Sequence, residues 1–60
     1  MTKIVKIDSI EYKMKIEMVN DRDYAFVTLE NETFEDIFIW YYHNETLNQL
    51  IEEIKKDLHI

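Results

Sequence analysis

The sequence predicts an α+β domain, a three-stranded antiparallel sheet, with or without a short N-terminal edge strand, packed on one carboxyl-terminal helix in the order β-β-β-α, with residues 1–60 forming a single domain. Three observations carry that expectation. Apolar residues recur at helical spacing after Leu47, apolar and polar residues alternate strictly from Ile10 to Met18, and a turn-forming stretch, Asn20-Asp21-Arg22-Asp23, separates that alternation from a second apolar run.

The helix has the clearest pattern. Leu47, Leu50, Ile51, Ile54 and Leu58 follow the i, i+3, i+4, i+7 spacing that gathers them on one stripe. Asn44 or Thr46 can cap its start, and Thr46-x-x-Gln49 fits a capping box. Glu45 suits the positive end of the helix dipole, and Lys55, Lys56 and His59 suit the negative end. The predicted helix runs from about Glu45 to Leu58.

In the first strand Ile10, Tyr12, Met14, Ile16 and Met18 alternate with Glu11, Lys13, Lys15 and Glu17, as expected for one buried and one wet face. The second runs from Tyr24 to Glu30. Pairing Val19 with Tyr24 sets Met18 opposite Ala25, Ile16 opposite Val27, Met14 opposite Leu29 and Lys13 opposite Glu30, so apolar meets apolar and Lys meets Glu. Met14, Ile16, Met18, Ala25, Val27 and Leu29 then form the face that the helix is expected to cover. Lys3 to Ile7 is also strand-like, but its alternation changes phase at Asp8-Ser9, which a bulge, a bend or a separate edge strand would each explain.

The third segment contains Ile37-Phe38-Ile39-Trp40-Tyr41-Tyr42-His43 and admits two readings. As a helix it would be capped by Thr33. As a strand, which its β-branched and aromatic content favours, it would turn Ile37, Ile39 and Tyr41 toward the helix. Phe38, Trp40 and Tyr42 would then share the opposite face with Val19, Tyr24 and Phe26. A helix of about 14 residues, roughly 21 Å long, covers one face of a small sheet. The second face is therefore expected to be an uncovered aromatic patch, of the kind that marks interaction sites. The alternative is that the amino-terminal segment folds over it as a second core.

Composition bears on function. Sixty residues bury only roughly 60% of their extended surface on folding, and with no cysteine neither a disulfide nor a thiolate zinc site can help. A partner subunit is the remaining aid. Thirteen acidic against seven basic residues, a net charge of −6, argue against direct binding to nucleic acid and for a basic partner. No apolar run approaches membrane-spanning length and no signal core opens the chain, so the expectation is a cytoplasmic protein without membrane contact. Asn31-Glu32-Thr33 and Asn44-Glu45-Thr46 accordingly read as turn and cap residues and not as glycosylation sites.

Catalytic and metal signatures are weak. There is one serine, Ser9, and two isolated histidines, His43 and His59, that form no H-x-x-x-H pair. Glu35 and Asp36 are adjacent, so in a strand they point apart and do not cooperate as acid and base. The absence of glycine rules out a phosphate-cradling loop. The expectation is a non-enzymatic protein with no cofactor and no metal.

Carboxylates cluster at the turns, Asp21 and Asp23 at one and Glu30, Glu32, Glu35 and Asp36 around the next. With the aromatic residues Tyr24, Phe26, Phe38, Trp40 and Tyr42 they make up the candidate protein-binding set. The hairpin with its acidic turn, "MVNDRDYAFV", and the acidic-aromatic segment, "FEDIFIWYYHN", resemble the small acidic proteins that bacteriophages direct against host enzymes, the anti-CRISPR proteins and the uracil-DNA glycosylase inhibitors. The resemblance is one of general character and assigns no residue a role. It implies stoichiometric binding to a host protein, without cofactor or catalysis; taken with the acidic charge, the expected function is inhibition of a host protein with a basic nucleic-acid-binding surface, in the host cytoplasm. The alternative function is a homodimeric structural or regulatory protein with the aromatic face as its interface.

Overall fold

The strand patterns above form a meander. A computed structural model describes residues 1–58 as four strands and one helix: β1 (Thr2–Ile7), β2 (Ile10–Met18), β3 (Ala25–Glu30), β4 (Glu35–Trp40) and α1 (Leu47–Leu58). The sheet is antiparallel in the order β1-β2-β3-β4. It thus has four strands: the three expected and, of the alternatives open for Lys3 to Ile7, an N-terminal edge strand; the third segment is a strand.

The extra strand arises because Asp8-Ser9 is a two-residue hairpin turn and not a bulge. Ile7 pairs with Ile10, and Asp8 and Ser9 have φ of 55° and 68°, the positive values at both central positions that a type I′ turn requires. Asn and Asp tolerate this region better than other non-glycine residues, and here a serine joins the aspartate. The ladder extends past the strand, with Met1 and Ile16 exchanging hydrogen bonds of 2.7 and 3.1 Å. The amino-terminal segment therefore lies in the plane of the sheet and does not cover a face.

The β2–β3 register is the one expected from side-chain matching: Lys13 opposite Glu30, Met14 opposite Leu29, Ile16 opposite Val27 and Met18 opposite Ala25. Met14, Ile16, Ala25, Val27 and Leu29 are all buried, joined by Ile7, Tyr12 and, from the helix, Leu50 and Ile54. Met18 is the exception. It lies on the predicted face but at the end of β2, where it is 58% exposed.

The helix begins two residues later than expected, and Thr46, not Asn44, is its cap. Thr46 and Gln49 form the reciprocal capping box: the Thr46 N–H donates to Gln49 Oε1 at 2.7 Å, and the Gln49 N–H to Thr46 Oγ1 at 3.2 Å. Lys55 and Lys56 fall in the last turn, while His59 lies outside the described residues. Leu50 and Ile54 are buried, with Leu47, Ile51 and Leu58 packed against the same core.

Candidate functional site

One arithmetic rule decides which residues face solvent. Directly opposed residues of an antiparallel pair share a face, so a connection with an even number of residues between paired ends reverses the parity of the inward positions. All three connections here are even: residues 8–9, 19–24 and 31–34. Inward positions are thus odd in β1, even in β2, odd in β3 and even in β4.

This overturns the expected facing of β4. Phe38 pairs with Val27 and Trp40 with Ala25, so both rings lie on the helix side, and Tyr42 follows them onto the core. Ile37, Ile39 and Tyr41, assigned to the helix, face outward at 60%, 46% and 47% exposure. Both faces of this segment are apolar, so the hydrophobic pattern alone does not set its phase. The 31–34 connection does. Asn31 organises it, its Oδ1 accepting from the Thr33 N–H at 2.9 Å and its own N–H donating to the Phe34 carbonyl at 2.9 Å.

Two of the three inward rings also make hydrogen bonds to the connections beside them. Trp40 donates its indole N–H to the Glu45 carbonyl at 3.1 Å, and Tyr42 donates its hydroxyl to the Arg22 carbonyl at 2.6 Å. Trp40 meets Tyr42 edge to face at 5.9 Å. Of the predicted binding residues, then, Phe38, Trp40 and Tyr42 are packed against the core and Tyr24 and Phe26 are on the open face.

That open face divides in two. Toward β3 and β4 it carries Tyr24, Phe26, Ile37, Ile39 and Tyr41, with Phe26 opposite Ile39 and Thr28 opposite Ile37. Tyr24 packs edge to face on Phe26 at 5.7 Å and against Tyr41 at 5.8 Å. Toward β1 and β2 the same face is mainly charged, with Lys6, Glu11, Lys13, Lys15 and Glu17 around an exposed Ile4. The parity of the 31–34 connection is the signal that places Ile37, Ile39 and Tyr41, and it is readable only once Glu30 and Glu35 are known to be the paired ends.

The carboxylates rim the apolar half. Asp21 and Asp23 are exposed in the 19–24 connection at one end, and Glu32 and Glu35 are exposed at the other, with Asp36 exposed beside them on the helix side. Glu17, opposite Phe26, closes the β2 side. Glu30 is different, because Lys15 reaches diagonally to it at 3.0 Å in place of the directly opposed Lys13. The hydrogen bond from Lys15 is the main cause holding the Glu30 carboxyl below the ordinary glutamate value. Burial, reinforced by the charge of Glu53, pushes Glu45 above it.

Glu35 and Asp36 point to opposite faces, and Asp36 Oδ1 accepts from the Ile37 N–H at 2.9 Å. His43 stands 4.0 Å from Asp23, both exposed. Among the described residues no group of three or more His, Cys, Asp or Glu is placed to hold a metal ion. No helix of the described residues is long and apolar enough to cross a membrane. No family model, curated protein or solved structure matches the chain.

Proposed function

We propose that this protein acts without catalysis, as a stoichiometric inhibitor that docks on a host protein with a basic nucleic-acid-binding surface, in the manner of phage-encoded inhibitors. The observation that carries this reading is the open β3–β4 face, where Tyr24, Phe26, Ile37, Ile39 and Tyr41 form an apolar cluster rimmed by Glu17, Asp21, Asp23 and Glu35. An apolar centre with aromatic anchors inside a charged rim is the anatomy of a protein-binding surface. A rim of carboxylates on a chain of net charge −6 selects a partner that is apolar at the contact and basic around it. Spaced carboxylates at both ends of the strands can occupy phosphate positions in such a partner.

The test is capture of the partner from host lysate by the wild-type chain, compared with Phe26→Ser and with the triple reversal Glu17→Lys, Glu32→Lys, Glu35→Lys. Both variants should fold and lose the partner, and added salt should release it from the wild type. A partner held equally by all three chains, or one indifferent to salt, overturns the reading.

A second reading, self-association, is favoured by one observation of its own. The edge strand β4 runs from Ile37 to Trp40 without a charged residue.

A further inference from the structure

The two edges of the sheet are guarded differently. β1 carries exposed Lys3 and Lys6 along its length, the kind of charge that keeps an edge strand from pairing. In β4 the carboxylates Glu35 and Asp36 stand at one end, and the rest, Ile37-Phe38-Ile39-Trp40, is β-branched and aromatic. Uncharged, β-prone segments at an open edge are pairing sites.

The hydrogen-bond phase shows what this edge offers. Asn31 bonds Phe34 across the β3–β4 connection, and hydrogen-bonded pairs alternate along an antiparallel ladder. Leu29–Asp36, Val27–Phe38 and Ala25–Trp40 are therefore the bonded pairs, and the backbone groups of Glu35, Ile37 and Ile39 point away from β3. Among the described residues the Ile37 N–H donates to the carboxylate of Asp36 at 2.9 Å, a local contact that a strand partner can displace.

We infer that β4 pairs with β4 of a second copy of this chain, antiparallel about a two-fold axis at Phe38, joining the two sheets into one. This deepens the self-association reading and rests on it. In that register Ile37 stands opposite the second copy's Ile39, Phe38 opposite Phe38, Asp36 opposite Trp40 and Glu35 opposite Tyr41. Apolar side chains meet on both faces, no carboxylate opposes another, and Glu35 gains a phenol that can donate to it. A shift that set Ile37 on Ile37 would instead put Ile39 against Glu35. The outward groups of Ile37 and Ile39 are all paired, and the two Phe26–Ile37–Ile39 clusters become one continuous stripe. Head-to-tail pairing of β4 with β1 would match carboxylates with lysines, but it leaves an edge free at each end and grows without closing. The two-fold register closes.

Sedimentation of the whole purified chain, from micromolar to millimolar concentration at low and high salt, tests this. The expected species is a dimer near twice 7.4 kDa, favoured by added salt because the two copies repel each other at net charge −6 apiece. Ile37→Lys, at a position 60% exposed and so without consequence for the monomer core, should weaken association by about 100-fold or more. Asp36→Ala, which frees the Ile37 N–H, should strengthen it. A wild-type chain that stays monomeric overturns self-association altogether. A dimer of unchanged affinity in Ile37→Lys keeps self-association and overturns the β4 register. Species growing beyond the dimer and dispersed by Lys3→Glu also overturn it, in favour of β1–β4 pairing.

Discussion

Trp40 donates its indole N–H to the carbonyl of Glu45, five residues on, at 3.1 Å. The bond fastens the last residue of β4 to the residue that precedes the helix cap, so strand and helix are joined by a side chain as well as by the 41–46 connection. Trp40→Phe keeps a ring against the core and removes the donor. The expected loss is about 1 kcal/mol of folding stability, read by urea titration. Trp40→Ala also opens the packing, and should cost about 2–3 kcal/mol at this half-buried site.

Thr46→Ala removes the side-chain acceptor of the capping box. Unfolding followed by circular dichroism should show a loss of about 1 kcal/mol. Gln49→Ala, which leaves the Thr46 N–H without its side-chain acceptor, should cost less, because that group is exposed to water.

Ser9→Gly should stabilise the fold. Serine at φ 68° carries the steric cost of the left-handed region, and Asp-Gly is the pair preferred in type I′ turns. After the greater flexibility of glycine in the unfolded chain is subtracted, the net gain should be about 0.5–1 kcal/mol. A destabilised Ser9→Gly chain would show that the serine side chain itself holds the turn.

Acid titration should separate the two perturbed glutamates. Glu30 has a lowered folded pKa, so its contribution is present above the unfolded value and fades as pH falls through the folded one. Glu45 has a raised folded pKa, so its contribution is present below the unfolded value and is lost as pH rises through the folded one. Stability profiles of Glu30→Gln and Glu45→Gln across the carboxylate range should therefore diverge from wild type in opposite directions. Matching profiles would count against the Lys15 contact as the source of the Glu30 shift.

Much of this architecture is legible in the residues. The β2–β3 register followed from matching side chains, because one face of that hairpin is apolar and the other charged, so a slip of one residue would bury Lys13 and Lys15. The helix stripe and capping box followed from spacing. The tight turn that pairs β1 with β2 and the facing of β4 did not, for two physical reasons. Asp8-Ser9 turns the chain without glycine, which hid a tight hairpin behind a change of phase. In β4 both faces are apolar, so burial gives no preference between Ile37 with Ile39 and Phe38 with Trp40. The carboxylate positions were legible, but the neutralisation of Glu30 was not, because Lys15 reaches it along a diagonal while Lys13 is the residue directly across.

The even connection at residues 31–34 makes β4 a reversible element. One residue added there would bring Ile37 and Ile39 onto the core and display Phe38 and Trp40, exchanging two exposed aliphatic side chains for two aromatic ones while the other strands stay in place. The composition of the open face in this scaffold is thus held partly in a loop length. A single in-frame codon gained or lost there would change which side chains of β4 the sheet displays without substituting any of them.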